Sequence, residues 1–386
     1  MIRLGLFLEA GYKKEGTTLY CEDIYTLLWT HLKVDYDLSF LGRYVKRDCR
    51  YELPHGANLS LLSSYDSLLH LLLLYPFFVL GNKKKMNRFI ENNDIFLIMV
   101  GSPLANLLTK MIIKKKKHVV LLVRQDTKTM ISQRYTGFKR CAASGIASKI
   151  EQSIIRLLKE YSLPMLTVGS ALYKKYSLLT PNAYFFVSSR FHLSDIVSLS
   201  HFNNKFLKPT LKVLFVGRIE VNKGLNELLG AIREVKGMAI TFTIVGDGLY
   251  MNELKRLLDL YSLTSIVSLE GYIPYGERLL GIYQENDVLI LPSYSEGLPQ
   301  VILEAMASGC VVAATKVGGI PSVITHESNG LLFAPHSSQD IVAVLRRLYL
   351  DSALLENLAK NGLITARQYA FENQFEVLKR ALVPNL

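Results

Sequence analysis

The densest chemistry in the chain lies in one segment, Ser293-Tyr294-Ser295-Glu296-Gly297-Leu298-Pro299-Gln300-Val301-Ile302-Leu303-Glu304-Ala305-Met306-Ala307-Ser308-Gly309. Pro299 suits the first turn of a helix, where its missing N–H costs nothing, and Gly309 suits the stop. Such a helix opens at Gly297–Gln300 and presents unpaired amides and the positive end of its dipole, a ready anion site. Glu296 lies just before that end. Glu304 lies five residues inside, roughly 7.5 Å further along the axis. Two carboxylates therefore bracket one ligand, and carboxylates accept from pairs of sugar hydroxyls. The alternative is a pair of solvated glutamates.

Two other turns carry weaker signals. Gly217-Arg218-Ile219-Glu220-Val221-Asn222-Lys223-Gly224 places two cations around a turn that feeds a helix. Arg offers a rigid fork of donors and Lys a mobile point charge, so the pair could clamp a diphosphate. A plain surface turn has the same composition. Gly246-Asp247-Gly248 permits a tight turn and close ligand approach, although an ordinary strand-to-helix turn needs no more. No third glycine completes a dinucleotide fingerprint, which disfavours nicotinamide chemistry.

The elements that must position these residues follow from short apolar runs. In the second half, Val213–Val216, Ile240–Val245, Ile266–Leu269, Val288–Leu291, Val311–Ala314 and Leu331–Phe333 read as strands. Helices are expected to begin near Lys223, Gly248, Tyr275, Pro299 and Ser337. That is a doubly wound α/β domain, whose ligands sit beyond the carboxyl ends of the strands. Each chemical motif falls just after a predicted strand. In the first half, Ile2–Leu8, Ile95–Val100, Val119–Val123 and Met165–Val168 read as buried parallel strands. A loop is expected over Ala10–Thr17, a helix over Thr18–His31, and another helix up to Ile113. Residues 35–90 give no clear assignment. Leu68–Leu80 is too short to span a bilayer and reads as a buried helix or a segment dipping into a membrane surface.

The expected division is a first domain over 1–200, a linker over 201–210 and a second domain over 211–364. A C-terminal helical stretch, 365–386, is expected to pack back on the first domain.

Composition narrows the function classes. With 49% hydrophobic and 20% charged residues the chain is globular, not disordered. Four cysteines (Cys21, Cys49, Cys141 and Cys310) show no CxxC spacing, which argues against a zinc site and a disulfide framework and favours a reducing, cytoplasmic setting. The net charge of +12 is uneven: residues 1–210 carry 30 Lys and Arg against 15 Asp and Glu, and the remainder is slightly acidic. Lys83–Lys85 and Lys114–Lys117 are the clearest basic runs. An anionic partner for the first half is indicated, or else a solvated basic face. No nucleic-acid-binding module accompanies the charge, so an anionic membrane surface is preferred over nucleic acid.

At these motifs the chain resembles the group 1 family of GT-B glycosyltransferases. Arg218 with Lys223, the Gly-Asp-Gly turn, and Glu296 with Glu304 occur in the family's order. Val317-Gly318-Gly319-Ile320-Pro321 and Asn329-Gly330-Leu331-Leu332 complete the pattern. The resemblance is close over about 210–350 and extends to the first half only in layout. It implies an α/β fold of two Rossmann-like doubly wound domains facing across a cleft, and a retaining, metal-independent hexosyl transfer with no cofactor. Arg218 and Lys223 would bind the donor diphosphate, and Glu296 the donor sugar. Gly217, Gly246 and Gly248 would line the donor site, with the Gly297 and Leu298 amides meeting sugar and phosphate. Glu304 would accept from the ribose, and Tyr272 and Ile273 would touch the base. On the acceptor side, Gly16 and Thr17 match a family loop at a helix entrance. The chain carries Arg124-Gln125-Asp126 where many members carry a histidine. The implied partners are a UDP- or GDP-sugar and a glycan or lipid-linked acceptor at the inner face of a cell membrane. A nucleotide-sugar epimerase and a non-catalytic binding subunit are the alternatives.

Overall fold

The structure is a computed structural model and describes all residues except 23–25, 47–48, 50, 66–69, 72–73, 125, 127–136, 203–204, 208 and 384–386. The chain forms two compact units. One comprises Met1–Ser188 with Phe375–Leu386, and the other Ser189–Gln374.

The second unit is built on six parallel strands: β10 (Leu211–Val216), β11 (Ile240–Val245), β12 (Val267–Gly271), β13 (Val288–Leu291), β14 (Val311–Thr315) and β15 (Leu331–Phe333). All six runs expected from the sequence form strands. Their order in the sheet is β12-β11-β10-β13-β14-β15. Every residue of β13 and β14 is buried, as a sheet covered on both faces requires. The helices Leu225–Val235, Met251–Leu260, Glu277–Glu285, Gln300–Ala307 and Ser338–Leu350 begin within three residues of the expected starts. With β10 first in the chain and β13 fourth, the order reverses between these neighbours. That switch point opens a crevice beyond their carboxyl ends.

The first unit repeats this winding. Its parallel strands are β1 (Ile2–Glu15), β3 (Tyr36–Tyr44), β5 (Asn58–Leu62), β6 (Ile95–Met99), β7 (His118–Val123), β8 (Met165–Val168) and β9 (Ala183–Phe186). They lie in the order β5-β3-β1-β6-β7-β8-β9, so the switch point falls between β1 and β6. Two short strands, β2 (Thr18–Cys21) and β4 (Tyr51–Glu52), extend the edge antiparallel.

The structure corrects some sequence expectations and fills in others. The loop Ala10–Thr17 and the helix Thr18–His31 are instead a β-hairpin: β1 runs on to Glu15 and pairs with β2, Tyr12 opposite Cys21 and Glu15 opposite Thr18. This cross-strand pairing decides the matter, and the two-residue turn is closed by Gly16 at φ +58°. The helix starts later, over Thr26–Asp35, and buries Leu28, Trp29 and Leu32. Within residues 35–90, β3 escapes recognition because Asp37, Ser39, Gly42 and Arg43 interrupt its apolar run. Leu68–Leu80 is helical at His70 and Leu71 and again from Tyr75, in the helix Tyr75–Glu91, with residues 68–69 and 72–73 outside the described set. Finally, the unit boundary falls at 188/189. The described part of 201–210 packs on the second unit: Lys205 donates to the carbonyls of Gln284 and Gly309, and Phe202 stacks on Phe206. At the C-terminus, only the stretch from Phe375 belongs to the first unit.

Candidate functional site

The loops that follow β10, β11, β13 and β14 are laced together by backbone. Gly217 N donates to Val245 O at 3.0 Å and Ile219 N to Asp247 O at 2.9 Å. Tyr294 N reaches Asn222 O at 2.9 Å, and Gly319 N reaches Gly297 O at 2.7 Å. Such close packing demands glycine. A Cβ on Gly246 (φ +144°) would overlap the carbonyl oxygen of Gly217, and one on Gly318 (φ +54°) that of Glu296. The role of these glycines is therefore partly to let one loop lie against the next.

Within this frame Lys223 and Glu296 meet. Lys223 Nζ donates to Glu296 Oε1 at 2.6 Å, and both side chains are only about one-tenth exposed (12% and 11%). The residues lie 73 positions apart and bridge the β10/β13 switch point. Arg218, in the same loop as Lys223, has a 71% exposed side chain whose Nη1 holds Glu220 at 2.8 Å. Its guanidinium is thus engaged to a neighbour in its own loop and open to solvent.

The helix Gln300–Ala307 begins as the sequence predicts, with Pro299 as its N-cap at φ −71° and Gly309 at φ +77° beyond its end. Among the described residues the amides of Gly297 and Leu298 donate to no protein acceptor, so they stand open at a helix N-terminus. Glu304, one and a half turns inside, is 2% exposed. Its Oε2 accepts from the Tyr283 hydroxyl at 3.0 Å, while its Oε1 is buried with no hydrogen-bond partner. Burial pushes the Glu304 carboxyl above its ordinary range, against the opposing charge of Arg190 and the Tyr283 hydrogen bond. Burial, with the Glu304 charge adding to it, also raises Tyr283 and Tyr275, and the Tyr275 hydroxyl is itself buried without a partner. Unpaired buried oxygens of this kind cost free energy unless something supplies the missing hydrogens.

Tyr283, Tyr275 and Arg190 were not legible as site residues. Tyr283 reads as a helix aromatic and is 0% exposed, and Arg190 lies outside every motif. Tyr272 and Ile273 follow β12 as expected, Tyr272 exposed and Ile273 buried. On the other unit, Gly16 and Thr17 form the hairpin tip described above and not a helix entrance. Asp126 is held by Lys175 at 2.8 Å, with Glu151 on the same ammonium. Arg124 directly follows β7, and Gln125 lies outside the described residues.

Residues 198–364 match the family model described as "Glycosyl transferases group 1". The chain is 36% identical over 151 residues to the sulfoquinovosyl transferase of Arabidopsis thaliana, covering 38% of this chain and 28% of that protein. It is 30% identical over 173 residues to a putative colanic acid biosynthesis glycosyltransferase of Salmonella typhimurium, covering 42% of each. The matched stretch thus spans less than half the length of these curated relatives. Among solved structures, Anabaena HepE in complex with UDP superposes with a TM-score of 0.69 at 17% identity, covering 99% of both chains. A sucrose-phosphate synthase from Thermosynechococcus elongatus gives 0.70 at 17% identity, covering 98% of both. The chain therefore has the two-domain GT-B fold, and residues 198–364 of its second unit are similar to the group 1 glycosyl transferases.

Proposed function

We propose that the protein transfers a hexosyl unit from a nucleotide-diphosphate sugar to an acceptor hydroxyl, with retention at the anomeric carbon and without a metal ion. The observation that carries this reading is the Lys223–Glu296 pair at the second switch point, beside the open amides of Gly297 and Leu298. The barrier to such a reaction is departure of the diphosphate, on which negative charge grows as the C1–O bond breaks. Lys223, the exposed Arg218 and the helix amides supply positive charge at that place. Glu296 accepts from the sugar hydroxyls, and the bare Oε1 of Glu304 from the ribose. The departing phosphate takes the acceptor proton. UDP and UDP-glucose are bound in structures of HepE, a protein of the same fold, which makes uridine donors the first to test.

A lipid-linked or growing surface glycan at the inner face of a membrane suits the first unit. No helix among the described residues is long and apolar enough to cross a membrane. The helix Tyr75–Glu91, however, exposes Phe77 (77%) and Leu80 (69%) beside Lys83, Lys84 and Arg88. Apolar and basic side chains on one exposed helix favour contact with anionic lipid.

The test is transfer from UDP- and GDP-sugars by wild type, Arg218→Ala and Lys223→Ala, with product configuration read by NMR and activity repeated in EDTA. Losses of roughly 10²–10³ in kcat are expected for each variant. Near-wild-type turnover in both would refute the assignment.

A further inference from the structure

A second polar constellation occupies the switch point of the first sheet. Strand β1 pairs in register with β3 and β6 as far as Phe7, opposite Leu41 and Ile98. The register with β3 then shifts between Phe7 and Gly11, and Glu9 sits in this interruption at φ +54°. A glutamate in the left-handed region inside a strand is uncommon, and backbone strain of this kind clusters at ligand sites. The bulge turns the Glu9 carboxyl toward groups from three other segments. The Tyr65 hydroxyl, after β5, lies 3.4 Å from Glu9 Oε1. The Ser102 hydroxyl, after β6, accepts from Ala105 N at 3.2 Å and acts on the Glu9 carboxyl, holding its pKa down against burial. Arg43, in β3, stands close enough to act on Glu9 electrostatically but is spent elsewhere. Its Nη1 donates to Tyr65 O at 2.9 Å, its Nη2 faces Glu22 at 3.7 Å, and its plane lies over the Tyr65 ring.

A carboxyl kept only for structure would close on the nearby guanidinium. Here it accepts from the Tyr65 hydroxyl instead and keeps lone pairs free. Ser102 lies just past β6, so Glu9 and Ser102 stand on the two sides of the β1/β6 switch point, where sheets of this winding hold their ligands.

We propose that Glu9, flanked by Tyr65 and Ser102, is a hydroxyl-binding residue of the first unit that receives a sugar hydroxyl of the acceptor. This rests on the glycosyl-transfer reading above and deepens it by naming the acceptor's receptor. Burial lifts the Glu9 carboxyl to about 7, against the hydrogen bonds from Ser102 and Tyr65 and the charge of Arg43. Burial and the Glu9 charge raise Tyr65, so its hydroxyl keeps its proton over the range in which the Glu9 carboxyl titrates.

The experiment measures saturation-transfer NMR on methyl glycosides of glucose, galactose, mannose and N-acetylglucosamine, with wild type and Glu9→Gln, from pH 6 to 8. Calorimetric binding of UDP-glucose and GDP-mannose to the same proteins runs in parallel. Wild type should show transfer to at least one glycoside, growing as pH rises through about 7. Glu9→Gln should weaken that signal about tenfold or more, remove its pH dependence, and leave nucleotide-sugar binding unchanged. Equal transfer in both proteins, or no glycoside binding by wild type, would overturn the proposal. A failure of donor binding alone would instead overturn the donor assignment and leave the Glu9 result standing.

Discussion

Replacing Glu304 by glutamine should raise the stability of the free protein while weakening its grip on the donor. The carboxyl is 2% exposed, and only one of its oxygens, Oε2, is bonded, to the Tyr283 hydroxyl at 3.0 Å. The other oxygen is buried and bare. Leaving such an atom unsatisfied costs about 1–3 kcal/mol, more if it is charged. Glutamine keeps the shape and an acceptor for Tyr283 but removes the buried charge. The free protein should therefore be unchanged or gain up to about 2 kcal/mol. In a unit of this size that is a Tm increase of up to about 8 °C. Binding moves the other way. Ribose hydroxyls would lose hydrogen bonds to a charged acceptor, worth about 1.5–3 kcal/mol each. Donor Kd should rise roughly tenfold to hundredfold. Differential scanning calorimetry without ligand and isothermal titration with UDP-glucose and GDP-mannose read the two halves separately. A lower Tm with an unchanged Kd would show that Glu304 is a packing residue and refute the reasoning.

Other substitutions probe separate parts of the structure. Glu296→Gln should free Lys223 from its 2.6 Å partner, so inorganic pyrophosphate should bind the variant more tightly than wild type while sugar transfer falls, as titration calorimetry and turnover would show. Gly246→Ala and Gly318→Ala should each cost more than ~2 kcal/mol in urea melts, because each Cβ overlaps a neighbouring carbonyl oxygen. The Glu9 carboxyl, lifted from its ordinary 4.5 to about 7, binds its proton more tightly folded than unfolded. Its contribution to stability is full below pH 4.5 and is lost as pH rises through 7, by at most about 3 kcal/mol. Glu9→Gln should therefore flatten the fall in urea-melt stability between pH 5 and 8. Phe77→Ser with Leu80→Ser should abolish flotation on liposomes containing anionic lipid without changing the melting temperature, since both side chains point to solvent.

The second unit could be read almost whole from the sequence because its strands are buried on both faces and so appear as unbroken apolar runs. Val288–Leu291 and Val311–Ala314 are examples. The loop chemistry was equally plain, since Pro299 and Gly309 mark both ends of a short helix. Side-chain pairing was not. Lys223 was expected beside a diphosphate, and its pairing with Glu296 is a contact across 73 residues that no local spacing encodes. The first unit resisted for a different reason. Gly16 gives the same signal at a helix entrance and at a hairpin tip, and only cross-strand pairing with Thr18–Cys21 separates the two. Glu9 lay in plain view next to a glycine loop, yet its importance comes from a register shift and from Tyr65 and Ser102 folding over it.

The stitched loops at the second switch point fix more than position. A floor whose segments are tied main chain to main chain has little freedom to remodel around a poorly fitting guest. Adaptability must then reside in exposed side chains at its rim, Arg218 and Lys316 among them. Guests that differ in the reach of an anionic linkage would be accommodated by such arms. Those that differ in the shape of what rests on the backbone floor would meet an unyielding surface.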